Sequence, residues 1–411
     1  MKKFLVMLIV VFLLTSTAAA VVVPLRLADK NKETSFYVGV SFCGNTTAEA
    51  KLLIDKVQGY TNLFVLQSWP VSRNETAVYE VCDYAVAHGL SIIVNLGTRT
   101  DRVTWEWQFQ VWKNGETRWG DKFLGAYYDD EPGGAQIDYD WNGFLSERVA
   151  YTVPKDSDQW GREVYLKWLE WKTNGTQPAD YNAETQVFLN YFNHNESAFQ
   201  ELKRNGIKTF ISDYALHWFD YLGGYDVVLA QFGFNNSYVQ AIQQVRGAAN
   251  MQGKEWGAII TWKYMQEPYL ASGEEIYQQM MTAYQAGAKY VVIFDYPQID
   301  GNPYGVLTED HFDALERFSN DVMATSKMRL LTDNSQADAV LVLPSNYGFG
   351  LRRADDRIWG YWGPDQKTAQ VWAASQNLLL QYGVHLDIVF DDPAYPVEGK
   401  YSTVYYWNQT L

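Results

Sequence analysis

The chain has 411 residues, 47% of them hydrophobic and 20% charged, and its formal net charge at pH 7 is −15. A core of this size does not need disulfides, and with only Cys43 and Cys82 the chain is not a disulfide scaffold. The negative charge disfavours nucleic acids and anionic membranes as partners, and the five histidines are too scattered for zinc, so no metal or cofactor is predicted.

The N-terminus has the three parts of a secretory signal peptide, predicted over residues 1–20. Lys2 and Lys3 precede the apolar run 4–14, and small residues follow up to Ala20. An uncleaved anchor is the alternative, because three valines at 21–23 extend the apolar stretch. We therefore expect an extracellular protein, secreted or anchored at the cell surface, and without Lys2 and Lys3 its net charge falls from −15 to −17.

Acceptor motifs for N-glycosylation are frequent in the chain. Six Asn-X-Ser/Thr sequons occur, at Asn45, Asn74, Asn174, Asn195, Asn235 and Asn408. In an exported chain this number suits a glycoprotein. Outside the cell a single bridge between Cys43 and Cys82 is possible, although buried free cysteines are common.

Short apolar runs alternate with amphipathic helices from about residue 35 to 325. The predicted strands are Phe36–Phe42, Asn62–Gln67, Ser91–Leu96, Phe123–Tyr128, Lys208–Ser212, Asp226–Phe232, Ala258–Tyr264 and Lys289–Phe294. The predicted helices that end at glycine are Ala48–Gln58, Glu75–His88, Glu184–Asn205 and Glu274–Ala286. Eight strands, each followed by a helix, predict an α/β fold, a (β/α)8 TIM barrel over residues 30–328. An open doubly wound sheet is the alternative, but no glycine-rich phosphate loop follows the first strand.

The fourth strand ends in an acidic motif. Phe123–Tyr128 is followed by Asp129, Asp130 and Glu131, then by a proline and two glycines. Carboxylates this close repel one another, so at least one should have a raised pKa, as a general acid needs. A solvated acidic turn and a calcium-binding loop are the alternatives.

Tryptophans are concentrated in two long connections, after the third and fourth strands. These connections, 98–122 and 132–181, hold Trp105, Trp107, Trp112, Trp119, Trp141, Trp160, Trp168 and Trp171. Flat aromatic faces suit sugar rings. Several of these side chains should instead seal the barrel, and the seven-residue spacing of Trp105 and Trp112 favours core packing.

Active sites of such barrels form at the carboxyl ends of the strands, where distant residues converge. Glycoside hydrolysis needs two carboxyl groups, one protonated and one ionised. Glu131 and Glu267, each followed by proline, supply such a pair after strands four and seven. The predicted substrate-binding residues are Asp130, Asp213, Asp295, Tyr296, Trp262 and Trp141, with Asp213 equally suited to capping a turn.

Glu131 and Glu267 resemble the catalytic pair of the large retaining glycosidase clan built on (β/α)8 barrels. The resemblance implies Glu131 as acid/base and Glu267 as nucleophile. That clan has Asn before its acid/base, whereas this chain has Asp130.

The strand-four pattern Phe123-X-Gly-X-X-X-Asp129-X-Glu131 is also similar to that of chitinase-like barrels. This second resemblance implies Glu131 as the acid, with Asp129 orienting an acetamido group of the substrate. The chain departs from it at Tyr127, where those barrels have another Asp. Both resemblances imply a glycoside hydrolase that acts on a carbohydrate with Glu131 as proton donor.

A small α/β segment, 335–411, is predicted after the barrel. It has strands Ala339–Pro344, His385–Phe390 and Thr403–Trp407 and a helix Asp365–Tyr382. With Pro344-Ser-Asn-Tyr-Gly348 after its first strand, it resembles the flavodoxin-like, amidotransferase-like domain that follows the barrel in some β-galactosidases. It has no cysteine nucleophile, which implies a packing or assembly role.

Two other classes of function stay open. The departure at Asp130 allows a non-catalytic surface or glycan-binding protein on a barrel scaffold. Asp129 and Asp130 also allow a structural protein stabilised by calcium.

Overall fold

The computed structural model describes residues 36–96, 102–138, 178–193, 198–329 and 337–409, with no side chains described for 102–105 and 323–329. Eight parallel strands, β1 to β8, pair in chain order, and β8 pairs with β1 to close a barrel. The predicted (β/α)8 barrel is therefore confirmed. The barrel and a second sheet belong to one compact unit, Tyr37–Leu411.

The elements alternate between strand and helix along the barrel. The strands are β1 Tyr37–Phe42, β2 Leu63–Leu66, β3 Ser91–Asn95, β4 Phe123–Tyr127, β5 Thr209–Asp213, β6 Val227–Phe232, β7 Glu255–Ile260 and β8 Tyr290–Ile293. The helices are α1 Thr47–Val57, α2 Glu75–Ala87, α3 Arg102–Lys113, α4 Gly115–Trp119, α5 Tyr181–Asn193, α6 Ala198–Arg204, α7 His217–Gly223, α8 Tyr238–Gln252, α9 Gly273–Gln285 and α10 Glu309–Arg329. Among the residues that the structure describes, no helix is long and apolar enough to span a lipid bilayer.

Local sequence explains where several helices begin. The Thr46 hydroxyl accepts a hydrogen bond from the Glu49 N–H at 3.2 Å, and the Glu49 carboxylate accepts one from the Thr46 N–H at 2.9 Å. This capping box satisfies two donors at the start of α1. Ser272 caps α9 through the N–H of Glu275.

The barrel interior is filled with side chains from alternate positions of its strands. The buried cluster contains Leu63, Val65, Ile93, Tyr127, Phe210, Val227, Leu229, Ile259, Tyr290 and Val292. The β-branched and aromatic side chains of the apolar runs thus build a packed core. This rigid core supports the loops at the carboxyl ends of the strands.

The predicted bounds of β7 are wrong, because the strand begins three residues earlier and ends four residues earlier than expected. At its start, Glu255 binds Lys208, just before β5, and Lys289, just before β8. After Ile260 the chain turns into a loop, in which the N–H groups of Lys263 and Tyr264 both donate to the Tyr269 carbonyl. The aromatic residues after Ile260 thus belong to this loop.

Two other predictions are corrected. The single helix expected over Glu184–Asn205 is described as two helices, α5 and α6, with residues 194–197 outside the described ranges. Cys43 and Cys82 are both free thiols, so the possible bridge between them is not formed.

A second sheet follows the barrel. It has three parallel strands, β9 Ala339–Leu343, β10 Leu386–Phe390 and β11 Thr403–Tyr406, in the order β10-β9-β11, and a helix α11 Gln366–Tyr382.

Helix α8 of the barrel packs against β10. A Cβ atom on Gly247 would lie 2.7 Å from the Ile388 carbonyl oxygen, so only glycine allows this close approach. The Arg246 Nε donates to Asp387 Oδ1 at 2.7 Å, and both side chains are buried. Because breaking a buried pair of this kind leaves an uncompensated charge, the intact pair of Arg246 and Asp387 holds the second sheet on the barrel.

Candidate active site

The chain turns sharply where β4 ends. Asp129 and Glu131 have φ angles of 67° and 52°, in the left-handed region that side chains disfavour. Such conformations cost on the order of 1–3 kcal/mol each and persist where the surroundings enforce them. Here the Glu131 N–H donates to the Ser212 carbonyl at 3.1 Å. The turn places Asp130 and Glu131 at the carboxyl end of the barrel.

A hydrogen-bonded network joins the ends of β4, β5 and β6. The Tyr127 hydroxyl lies 2.8 Å from Asp130 Oδ1 and 2.7 Å from Ser212 Oγ. The Gln231 amide donates to Ser212 Oγ at 2.9 Å and to Glu131 Oε1 at 2.7 Å. Since Ser212 Oγ also lies 3.3 Å from Asp130 Oδ1, the network links the two acids through neutral groups.

The two acids of this network have different proton affinities. Burial, and then the negative charge of Asp130, raises the pKa of Glu131 to about 8. Asp130 is exposed at the barrel mouth. The protein around its carboxyl group excludes water and raises its pKa to about 6, although hydrogen bonds with Tyr127 and Ser212 act to lower it. Of the two acids, Glu131 therefore binds its proton more tightly than Asp130.

Asp129 is buried behind the turn. Its Oδ1 accepts a hydrogen bond from the Asp130 N–H at 2.8 Å, and its Oδ2 accepts one from the Tyr191 hydroxyl of α5 at 3.1 Å. These contacts tie the turn to α5, and a role of Asp129 towards substrate stays a prediction. In the described ranges, no group of three or more His, Cys, Asp or Glu could hold a metal ion.

Asp213 anchors the segment that follows Glu131. Its buried carboxylate accepts hydrogen bonds from the N–H groups of Gly133, Gly134, Tyr214 and Ala215. Burial raises the pKa of Asp213 to about 7, although these four donors favour its charged form. The Asp213 carboxylate thus caps the turn that follows it, and its role in substrate binding stays a prediction. Nearby, the His217 ring is buried, with Nε2 at 3.1 Å from the Asp213 carbonyl, as expected for a structural histidine.

Asp295 lies just beyond the end of β8 and is buried. Burial raises its pKa to about 8. Cys43, just beyond β1, lies within electrostatic reach of two acids, because the charges of Asp295 and Asp130 add to burial in raising the pKa of its thiol. Cys43, Asp130 and Asp295 follow β1, β4 and β8, so all three lie at the carboxyl end of the barrel.

Glu267 does not join the network around Glu131 in the contacts that the structure describes. It is exposed and lies seven residues beyond β7, in the loop 261–270. The loop also carries Trp262, which is half-buried and packs edge-on against Tyr269 and Tyr296. The role predicted for Glu267 as nucleophile stays a prediction.

Exposed aromatic side chains surround the barrel mouth. We call these four residues the aromatic rim: Trp69, Phe234, Tyr264 and Tyr296. They stand on the loops that follow β2, β6, β7 and β8, respectively. Exposed aromatic groups collected on one face make the rim a candidate binding surface.

The eight tryptophans of the two long connections have different outcomes, and of these Trp107 is half-buried and the side chain of Trp105 is not described. Trp112 and Trp119 are buried, and their indole N–H groups donate to the Val94 carbonyl and to Asp83 Oδ1. These two seal the barrel, as the sequence allowed for several of them. Trp141, with Trp160, Trp168 and Trp171, lies outside the described residues.

Sequence reasoning missed Ser212 and Gln231. Gln231 is the polar residue near the end of an otherwise apolar strand, VVLAQF, and this exception was a usable signal. Ser212 had no such signal, because its role depends on the pairing of β5 with β6.

No protein-family model and no curated protein matches the chain. Similar solved structures include GH5_18 from Streptomyces cattleya in complex with Manb1-4GlcNAc, at 13% identity and a TM-score of 0.48, covering 91% of this chain and 99% of that one. A β-1,3-glucanosyltransferase from Rhizomucor miehei in complex with laminaritriose has 17% identity and a TM-score of 0.37, with coverage of 68% and 96%. A β-mannanase from the blue mussel Mytilus edulis has 10% identity and a TM-score of 0.37, with coverage of 70% and 92%. At these values the function has to be argued from the site itself.

Proposed function

We propose that the protein is a glycoside hydrolase with Glu131 as its proton donor. The observation that carries this proposal is a carboxyl group, at the mouth of a barrel, whose pKa is raised to about 8 beside an acid whose pKa is about 6. Cleavage of a glycosidic bond needs such a division, one carboxyl group protonated and one ionised.

In this proposal Asp130 is the ionised group next to Glu131. Its negative charge keeps the proton on Glu131 before reaction, and it favours the positive charge that develops on the sugar in an oxocarbenium-like transition state. Gln231 orients Glu131 Oε1 by its hydrogen bond of 2.7 Å. Glu267 and Asp129 remain the candidates for nucleophile and substrate-orienting group that the sequence predicts.

The substrate is a carbohydrate. The aromatic rim offers exposed aromatic surface, and aromatic rings pack well against the apolar faces of sugars. Trp262 contacts the rim residue Tyr296 edge-on, with 5.4 Å between ring centroids.

We propose that the protein acts outside the cell as a glycoprotein. The sequence has the N-terminal pattern of a signal peptide. The sequon asparagines within the described ranges, Asn45, Asn74, Asn235 and Asn408, are all exposed, which supports glycosylation.

Substitution of the proton donor tests the proposal. Glu131→Gln should lower kcat/KM on a panel of oligosaccharides and aryl glycosides by about 10²–10⁴-fold, the usual contribution of a general acid. The melting temperature should be retained. Glu309→Gln, the same change at an exposed site on α10, is the control and should keep full activity. Unchanged turnover in Glu131→Gln would exclude Glu131 as the donor.

Two further variants separate the mechanisms. Glu267→Gln should abolish turnover in the two-glutamate scheme, whereas Asp129→Asn should do so in the substrate-assisted scheme. Full activity in both variants would leave Asp130 as the partner of Glu131.

A non-catalytic glycan-binding protein is the second candidate. The observation that favours it is the exposed position of Glu267, well beyond β7. This candidate predicts that the wild type binds glycans without turnover and that Glu131→Gln binds them equally well.

A further inference from the structure

We infer that the segment after the barrel completes the active site, with Arg352 as a positioning residue that acts on Glu131 through Asp138 and Tyr214. The inference rests on the proposed function and assigns to this segment a part in the site. Arg352 lies 214 positions from Asp138 in the sequence, so only the fold brings them together.

Arg352 holds two carboxylates at once. Its Nη1 and Nη2 donate to both oxygens of Asp138 at 3.0 and 2.8 Å. Its Nε and Nη2 donate to both oxygens of Asp356 at 3.0 and 2.7 Å. Asp356 is fully buried, and only 10% of the Arg352 side chain is exposed. A planar guanidinium bound on two edges in this way fixes the orientation of both partners.

Tyr214 connects this ion pair to the acidic turn. Its hydroxyl donates to Asp138 Oδ2 at 2.8 Å, and the Arg352 guanidinium lies 5.4 Å from its ring centroid. The ring lies directly on the backbone of Gly134, where a Cβ atom would come within 2.1 Å of it. Because Gly134 follows Glu131 by three residues, the position of the ring sets the position of the turn that carries the acid.

Asp138 also acts on Glu131 electrostatically. It is the last described residue of the helical segment 132–138, which begins directly after Glu131. The groups that act on Glu131 are Asp130, Gln231, Asp213 and Asp138, and the charge of Asp138 is one of those that raise its pKa. The positive charge of Arg352 offsets that of Asp138.

The loop that carries Arg352 is held on the barrel on both sides of this residue. Before it, the Leu351 carbonyl accepts a hydrogen bond from the Gln240 side chain of α8. After it, Trp359 is buried and packs against Phe219, with 4.6 Å between ring centroids. The Trp359 carbonyl accepts a hydrogen bond from Gln136 at 2.9 Å. Arg352 is therefore presented to Asp138 by a fixed support.

Titration of the Glu131 carboxyl group tests the inference without any turnover. The apparent pKa of Glu131 is measured by carbon NMR of ¹³C-labelled glutamate, assigned with Glu131→Gln, in full-length wild type and variants. Asp138→Asn removes a negative charge and should lower this pKa by about 0.5–1. Arg352→Gln leaves Asp138 uncompensated and should raise it. Arg317→Gln, at a side chain of α10 that is 48% exposed and pairs with Glu274, is the control and should leave it unchanged.

Kinetics test the positioning itself. Asp138→Asn and Tyr214→Phe should each lower kcat about tenfold with KM nearly unchanged, since a small displacement of a catalytic group is enough for such a loss. Both keep the pair of Arg352 with Asp356, so they decide the question even if Arg352→Gln does not fold.

Unchanged kcat and unchanged Glu131 pKa in Asp138→Asn, with only a lower melting temperature, would show a purely structural role and overturn the inference. If the wild type cleaves no glycan, the proposed function fails, whereas the titration still decides whether Arg352 and Asp138 act on Glu131.

Discussion

The two ends of the barrel use carboxylates in opposite ways. At the amino ends of the strands, Asp226 and Glu255 each bind two lysines, which are Lys203 and Lys254 for the first and Lys208 and Lys289 for the second. Burial alone would raise the pKa of both acids, but hydrogen bonds led by those from the lysines lower it. At the mouth, Glu131 and Asp130 have a network of neutral partners, and their pKa values are raised.

The difference shows what a carboxylate needs to serve each purpose. A carboxylate that is paired with lysines stays charged and stabilises the fold. It therefore has no proton to donate at neutral pH. A carboxyl group whose neighbours are a neutral amide and a second carboxylate keeps its proton, at a place that a substrate can reach. The raised pKa values are a cost to stability that the lysine pairs at the other end do not carry.

Of the variants that test this comparison, Gln231→Leu should have the largest effect on activity. The variant removes the neutral donor that holds Glu131 and lowers its pKa. We expect kcat to fall by about 10–100-fold because the acid loses its orientation. The alkaline limb of the pH profile of kcat/KM should move to higher pH, since Glu131 then holds its proton more tightly.

The matched control is Gln278→Leu, at an exposed glutamine of α9, which should leave the profile unchanged. A profile in Gln231→Leu identical to that of the wild type would remove Gln231 from the site.

Stability against pH should separate the two ends of the barrel. Because the pKa of Asp226 is lowered, its contribution is present above its unfolded pKa and is lost as the pH falls through its folded pKa. Glu131 is protonated in the folded protein up to about pH 8, so its folded form becomes less favourable as the pH rises from 4.5 to about 8.

Urea denaturation at a series of pH values checks this prediction. Glu131→Gln should reduce the loss of unfolding free energy on the alkaline side by about 1.4 kcal/mol per pH unit. Asp226→Asn should reduce the loss on the acid side instead. Equal pH dependence in both variants would contradict the division between mouth and base.

Removal of an aromatic ring from the rim should have the smallest effect. Tyr296→Ala should raise KM for oligosaccharides about 2–10-fold with little change in kcat, as expected for loss of one ring contact. Leu380→Ala, at a side chain on α11 that is 87% exposed, is the control. If the two variants behave alike, the rim does not bind substrate.

Several features could be predicted from local sequence because their causes are local. Glycines after helices, β-branched runs and capping residues such as Thr46 and Ser272 act within one or two turns of chain, and they predicted the alternation of β and α elements. Three adjacent acids at the end of β4 predicted the place of Glu131 for the same reason, since their repulsion depends on sequence neighbours alone.

Other features depend on residues that are far apart in the chain. The amide of Gln231 and the hydroxyl of Ser212 reach the acidic turn only after the barrel has closed. The guanidinium of Arg352 reaches Asp138 only after the second sheet has docked. The end of β7 was also decided by its neighbours, because backbone bonds to Tyr269 turn the aromatic run after Ile260 into a loop. The sequence by itself determined the barrel and the acid at its fourth strand, since these follow from local propensity and spacing. Only the tertiary structure decided which groups surround that acid, because burial and hydrogen bonding between strands set its pKa.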